Sequence, residues 1–127
     1  YELMKKTGII ELAENEITQI SGGQLQRAAI CRALINRPQI LFADEPTGAL
    51  NSSAAEDVMS VMQKINQEGT TIMMVTHDIK VAAHSERILY MIDGNIEGEY
   101  NLGKFSENYE LKEREISLSR WLLNMGF

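Results

Sequence analysis

Two short apolar runs constrain the fold of this chain more than anything else in it. "QILFAD" (Gln39–Asp44) and "TTIMMVT" (Thr70–Thr76) are of strand length, and neither alternates polar with apolar residues. Continuous runs of this kind suit strands covered on both faces of a parallel sheet. Between them Val58, Met62 and Ile65 recur at helical spacing, and Gly69 closes that segment. Parallel strands need a long crossover, usually a helix. Strand, helix, strand therefore predicts an α/β domain. Met73 and Met74 read as core residues of the second strand.

The other elements follow from local signals. "YELMKKTG" predicts a short helix closed by Gly8. Residues 9–20 are irregular and acidic, with room for a helical turn. Gly22 to Asn36 has helical spacing, offers Leu25, Ala28, Ala29, Ala33 and Leu34 for burial, and ends before Pro38. Ser53 and Glu56 match the S-x-x-E pattern of a helix start. Asp78 is placed to cap a short helix through His84. Arg87–Ile92 and Asn95–Tyr100 flank Asp93-Gly94, a hairpin turn signal. The third strand is expected in the core, the fourth at an edge. Asn108–Met125 places Leu111, Leu118, Leu122 and Met125 on one helical face.

The chain has 127 residues, enough for one core, and 44% of them are hydrophobic. A net charge of −6 argues against free duplex nucleic acid as a partner. A single cysteine, Cys31, excludes an internal disulfide framework and fits a reducing compartment. No signal peptide is evident, and "ILFA" and "IMMV" are far too short to cross a bilayer. Any membrane role is then expected to run through a partner. The start at Tyr1, mid-pattern, reads as part of a longer protein.

The chemistry begins at "SGGQ", Ser21–Gln24. Two glycines opening a helix each cost about 1 kcal/mol against alanine. The first N–H groups of a helix lack intrahelical acceptors and, with the dipole, form an anion site. Gly22 and Gly23 remove side chains from that entrance, and Ser21 adds a hydroxyl. From the glycines alone, a flexible loop before a helix is an equal reading.

"ILFADE" ends a predicted buried strand in two adjacent carboxylates, Asp44 and Glu45. Ligands bind at the C-terminal ends of such strands. Asp44 is suited to a hydrated Mg²⁺, and Glu45 to orienting or deprotonating a water. A solvated acidic turn is the bland alternative. His77 then follows the next strand in "VTHD".

Ser21-Gly22-Gly23-Gln24, then "ADEP", then "VTHD", in this order and spacing, resemble the ATP-binding subunit of ABC transporters. The signature motif matches at Ile20–Gln24, with isoleucine in place of the usual leucine. The Walker B motif matches at Ile40–Asp44, followed by the catalytic Glu45. The H-loop histidine matches His77. "ADEPTGALNS" and "MVTHD" look like the exporter branch with lipoprotein-release and macrolide-export ATPases. The "ALN" loop and the ending "LKEREISLSRWLLNMGF" look closest to bacitracin-type peptide-antibiotic transporters.

The resemblance implies a partial P-loop NTPase domain with parallel core strands, flanking helices, an edge hairpin and a C-terminal helix. It implies ATP and Mg²⁺, the metal reached by Asp44 through water. It implies a head-to-tail dimer with a second nucleotide-binding subunit. Ser21, Gly22, Gly23 and Gln24 then face the γ-phosphate of the partner's ATP, while Glu45 and His77 complete the site of the subunit that holds the nucleotide. The D-loop usually ends in aspartate; Asn51 stands there and reads as a mark of the branch. A transmembrane permease is the implied second partner, with the subunit cytoplasmic on the inner face of the membrane and not itself inserted. Along the chain, 1–38 corresponds to the end of the helical subdomain, 39–105 to the catalytic core and 106–127 to a C-terminal extension.

Three elements of the family are absent from these residues. No G-x-x-x-x-G-K followed by Ser or Thr precedes Asp44, and neither the aromatic A-loop nor the Q-loop is present. "GEYNLGK" (Gly98–Lys104) imitates the spacing, but Phe105 replaces the hydroxyl residue, and Tyr100 and Leu102 burden the loop. The 127 residues alone are therefore expected not to hydrolyse ATP, and to expose apolar surface. Arg27, Arg32 and Arg37 read as a solvated face, and His84 as a surface residue. Two other readings stand beside the transporter engine: a non-transport ABC ATPase, and a non-catalytic pseudo-subunit.

Overall fold

A computed structural model describes residues 1–106 and 110–127. They group into two compact units, Tyr1–Val75 and Thr76–Phe127.

The first unit begins with helix α1 (Glu2–Lys6). Gly8, at φ +72°, follows it in the left-handed region that glycine enters most readily. Gly8 N–H donates to Lys5 O and Ile9 N–H to Met4 O, which satisfies two of the last carbonyls of the helix. Two 3₁₀ turns, Ile10–Leu12 and Ile17–Gln19, occupy the acidic stretch. Helix α2 (Gly22–Leu34) then packs on α3 (Ser52–Gln67). Strands β1 (Ile40–Asp44) and β2 (Thr71–Val75) pair in parallel, Ile40 opposite Thr71 and Asp44 opposite Val75. The crossover helix α3 buries Val58, Met59, Val61, Met62 and Ile65.

Three expectations are corrected in this unit. The buried stripe of α2 is Gly23, Ile30, Cys31 and Leu34, while Leu25 is 38% exposed and Ala29 and Ala33 are exposed. Two stripes of this helix have helical spacing, and packing against α3 and α1 selects the one that carries Gly23 and Cys31. Helix α3 starts two residues earlier than the S-x-x-E pattern places it. Its cap is Asn51, whose Oδ1 accepts from Ala54 N–H at 2.9 Å. The strands are covered on one face only. Phe42 is 71% exposed, Met73 51% and Val75 58%, so Met73 is not a core residue in this chain. Leu41, Ile72 and Met74 alternate with them toward the covered side.

The second unit holds α4 (Ile79–Ala82), the strands β3 (Arg87–Ile92) and β4 (Asn95–Asn101), and α5 (Leu111–Asn124). The hairpin turns at Asp93 and Gly94, both at positive φ, and a register shift follows Tyr90. The expectation of Arg87–Ile92 as a third core strand in one strand–helix succession fails: among the described residues β3 pairs with β4 alone, antiparallel. Helix α4 is a single turn, much shorter than a usual parallel crossover. Arg87 and Glu99 form a bidentate pair at 2.6 and 3.1 Å across the hairpin. The pair holds the Glu99 carboxyl below its ordinary pKa and the Arg87 guanidinium above.

Helix α5 lies on aromatic residues of the hairpin. Trp121 stacks on Tyr100 with centroids 5.2 Å apart and meets Tyr90 edge-on. Leu118 and Leu122 are buried, and Leu111 and Met125 half-buried. The expected start of this helix at Asn108 lies outside the described residues. No helix among the described residues is long and apolar enough to cross a membrane.

Candidate nucleotide site

The end of β1 delivers the two carboxylates. Asp44 is the last strand residue and exposed. Glu45 leaves the strand at φ +45°, a region that costs a residue with a Cβ about 1–3 kcal/mol. Its N–H donates to Val75 O at 2.8 Å, which extends the ladder by one bond. Its carbonyl accepts from Gly48 N–H at 3.1 Å and closes the turn. Beyond it Pro46 and Thr47 are buried. The strained backbone is thus held from both sides, and it fixes the direction in which Glu45 leaves the sheet edge.

The loop Glu45–Leu50 carries the chain to α3, and α2 begins beside it. A Cβ on Gly22 would stand 3.3 Å from Leu50 Cδ2, and one on Gly23 3.0 Å from Ala54 Cβ. The N-terminal ends of α2 and α3 therefore lie together, each capped by its own side chain. At α2 the cap is reciprocal. Ser21 Oγ accepts from Gln24 N–H at 3.2 Å, and Gln24 Oε1 accepts from Ser21 N–H at 2.8 Å. The Ser21 hydroxyl keeps its proton for donation elsewhere.

The bare backbone at Gly22-Gly23 has a reason that the sequence reading missed. Gly23 is buried against Ala54, so its missing side chain allows α2 and α3 to approach. Gly22 is exposed at the entrance. Packing and access are divided between the two residues.

One unit thus brings together Ser21, Gly22, Gly23, Gln24, Asn51 and the strand end with Asp44 and Glu45. Asn51 spends its side-chain oxygen on capping α3. His77 belongs to the other unit, two residues past β2, and is exposed. Asp78 N–H donates to Thr76 Oγ1 at 3.0 Å, and Asp78 Oδ1 accepts from Lys80 N–H at 2.8 Å, so His77 is bracketed by a capped turn.

The exposed Asp44 fits one contact to a hydrated cation. Among the described residues no group of three or more His, Cys, Asp or Glu is placed to hold a metal ion. Asp44 would thus be one ligand in a shell completed by water and phosphate.

The Gly98–Lys104 imitation of a phosphate loop is structural. Gly98 lies in β4, and a Cβ there would come within 2.7 Å of Met125 Cε and 2.9 Å of Trp121 Cζ2. Leu102 N–H and Gly103 N–H are spent on Glu86 O.

Two further readings are corrected. Arg27 is half-buried, and its Nη1 donates to Thr7 O and Gly8 O at 3.4 and 3.3 Å, so it is not a solvated residue. His84 is half-buried, with Nδ1 3.0 Å from Lys80 O and its ring edge-on to Phe105. Arg114 was not singled out by sequence. It is a buried cation on the apolar stripe of α5, four residues before Leu118.

The ABC transporter family model matches residues 1–48. Over 96 residues the chain is 51% identical to the uncharacterized ABC transporter ATP-binding protein MJ0796 of Methanocaldococcus jannaschii, which covers 75% of this chain and 41% of that protein. Over 98 residues it is 53% identical to the macrolide export ATP-binding/permease protein MacB of Syntrophobacter fumaroxidans, which covers 76% of this chain and 14% of that protein. The dimeric post-hydrolysis structure of the ATP-binding cassette MJ0796 bound to ADP and Pi superposes with a TM-score of 0.69 at 45% identity, covering 82% of this chain and 46% of that one. The matches span less than half the length of each relative. The fold is that of part of an ABC ATPase domain, and the chain is related to the MJ0796 and MacB ATP-binding proteins.

Proposed function

We propose that this chain carries the Walker B carboxylates and the signature helix of an ATP-hydrolysing cassette that powers an ABC membrane transporter. The observation that carries the reading is Glu45, held at positive φ at the end of β1, one loop away from the capped N-terminus of α2. Strain of this kind persists where the surroundings over-determine it, as at catalytic positions.

In this reading ATP is the substrate and the Glu45 carboxylate is the general base. It accepts a proton from the water that attacks the γ-phosphorus, and ADP departs with the electrons of the broken P–O bond. Bound Mg²⁺ would neutralise phosphate charge, and Asp44 would reach it through a water. The first N–H groups of α2 and the Ser21 hydroxyl donate to oxygens of the γ-phosphate held by a second subunit. Gly22 leaves that approach open, and the Ser21–Gln24 cap keeps the helix end formed. Asn51 keeps α3 in register beside it. His77 contacts the phosphate of the nucleotide that its own subunit holds.

The partners in this reading are a second nucleotide-binding subunit, head to tail, and a transmembrane permease. The subunit is then cytoplasmic and peripheral. The relatives support the macrolide-export side of the family, since MacB carries ATP-binding and permease functions in one protein by its name. Peptide-antibiotic or lipophilic substrates are proposed from the resemblance of the "ALN" loop and the chain's ending to bacitracin-type transporters, the permease making the choice among them. The divisions at 38 and 105 correspond to the helical-subdomain end, the catalytic core and the extension.

The trans role of α2 is tested in a complete cassette with Gly22→Trp. Turnover falls by about tenfold or more while ATP affinity of the isolated subunit stays within about twofold. A large loss of affinity in the isolated subunit overturns the assignment.

A further inference from the structure

Arg114, on α5, is buried in the second unit, away from the water to which an exposed guanidinium would donate. It donates instead to four backbone carbonyls: Nε to Ala83 O at 2.7 Å, Nη2 to Ser85 O at 2.8 Å and Gly103 O at 2.9 Å, and Nη1 to Leu102 O at 3.1 Å. Its Cζ lies 5.4 Å from the centre of the Phe105 ring. Burial lowers its pKa from the ordinary value, opposed by the charges of Glu110 and Glu86. A buried arginine loses several favourable water contacts, and here the carbonyls replace them.

Those carbonyls belong to two segments. Ala83 and Ser85 end the turn that starts at Asp78. Leu102 and Gly103 follow β4, and their N–H groups both donate to Glu86 O. One side chain from α5 therefore fastens the far end of the α4 turn to the segment that follows β4. The near end of that turn is fastened by Asp78, which caps α4 and donates its own N–H to Thr76 Oγ1. His77 lies inside the bond from Asp78 N–H to Thr76 Oγ1, directly before the capping Asp78. His84 adds a third tie, its Nδ1 on Lys80 O and its ring against Phe105.

We propose that Arg114 is a positioning residue for His77: from α5 it locks the segment from Thr76 to Ser85 and so sets where the exposed imidazole stands. The inference rests on the reading of His77 as a phosphate contact. It also gives α5 a task, since this helix then ties the C-terminal extension to the segment that carries His77. Arginine suits the position because its planar fork serves four acceptors at once, which an ammonium with three donors does not.

The test uses Arg114→Met and Arg114→Lys. In the 127-residue chain, amide hydrogen exchange is followed by NMR together with the ring signals of the two histidines. Arg114→Met speeds exchange at Ala82, Ala83, His84 and Ser85 by about tenfold or more relative to the β3–β4 hairpin, and shifts the His77 ring signals. Arg114→Lys gives a smaller change in the same places and serves where the methionine variant fails to fold. In the complete cassette, kcat falls by about tenfold while KM for ATP stays within about twofold. Unchanged exchange and ring signals overturn the proposal. So does equal loosening of the hairpin with kcat and KM moving together, because that marks a purely structural role. Glu45→Gln run beside them separates the two readings. If it keeps turnover, the hydrolysis reading fails while exchange still decides whether Arg114 holds the segment. If it abolishes turnover and Arg114→Met leaves kcat untouched, the Arg114 proposal fails alone.

Discussion

A Cβ at Gly23 would stand 3.0 Å from the Cβ of Ala54, which makes these two residues a point of close approach between α2 and α3. Gly23 lies two residues past the cap Ser21, and Ala54 three past the cap Asn51. The contact joins the anion-facing turn of α2 to the helix that follows the acidic strand end. Small residues at that point let the two helix starts lie side by side.

Gly23→Ala tests this contact. Helix propensity alone favours alanine by about 1 kcal/mol. The added methyl group meets a stiff Cβ, and overpacking of this kind costs about 1–3 kcal/mol. The expected net outcome is destabilisation by about 1 kcal/mol in urea unfolding. A more stable variant would mean that α2 shifts freely and that propensity alone decides.

Asn51 is the next point of leverage. Asn51→Ala removes the oxygen that accepts from Ala54 N–H and is expected to cost about 1 kcal/mol of stability. Asn51→Asp keeps an acceptor and adds negative charge at the helix start, so its stability is expected to equal or exceed that of the unmodified chain. Equal losses from both substitutions in the same urea titration would show that the cap is not what Asn51 contributes.

Gly98 reports on the second unit. Gly98→Val pushes against Met125 and Trp121, and a penalty of about 1–3 kcal/mol is expected. Trp121 is the only tryptophan, so its fluorescence follows the separation of α5 from β4 directly. An unchanged emission spectrum and unfolding midpoint would contradict the close approach seen here.

Much of this fold was readable because its signals are local and redundant. Ile40–Asp44 and Thr71–Val75 are apolar runs bounded by turn residues, and Asp93-Gly94 demands a hairpin. Gly8 and Gly69 both follow helix ends at positive φ. Other features depend on packing that no local pattern encodes. Leu25, Ala29 and Ala33 have the same helical spacing as the stripe that is buried, so spacing could not choose between them. Asn51 and Ser53 both suit a helix start, and the acceptor geometry at Ala54 decides for Asn51. The positive φ of Glu45 runs against its intrinsic preference, so propensity points away from it. Arg114 follows no polar pattern; its signal is a cation within an apolar stripe. Of the candidate site, the order of motifs gave the residues, while the pairing of the two helix starts came from the structure.

The hydrolysis reading meets its most direct test in phosphate release by a complete cassette with and without Glu45→Gln. An amide keeps the shape of the carboxylate but does not accept the proton, so turnover is expected to fall by about 100-fold or more. Nucleotide binding in the same preparations is expected to stay within about twofold, with the closed dimer persisting in ATP. The 127-residue chain measured alongside, with Mg²⁺, is expected to stay at background. Turnover of the glutamine variant close to that of the unmodified cassette would contradict the assignment of Glu45 as the base.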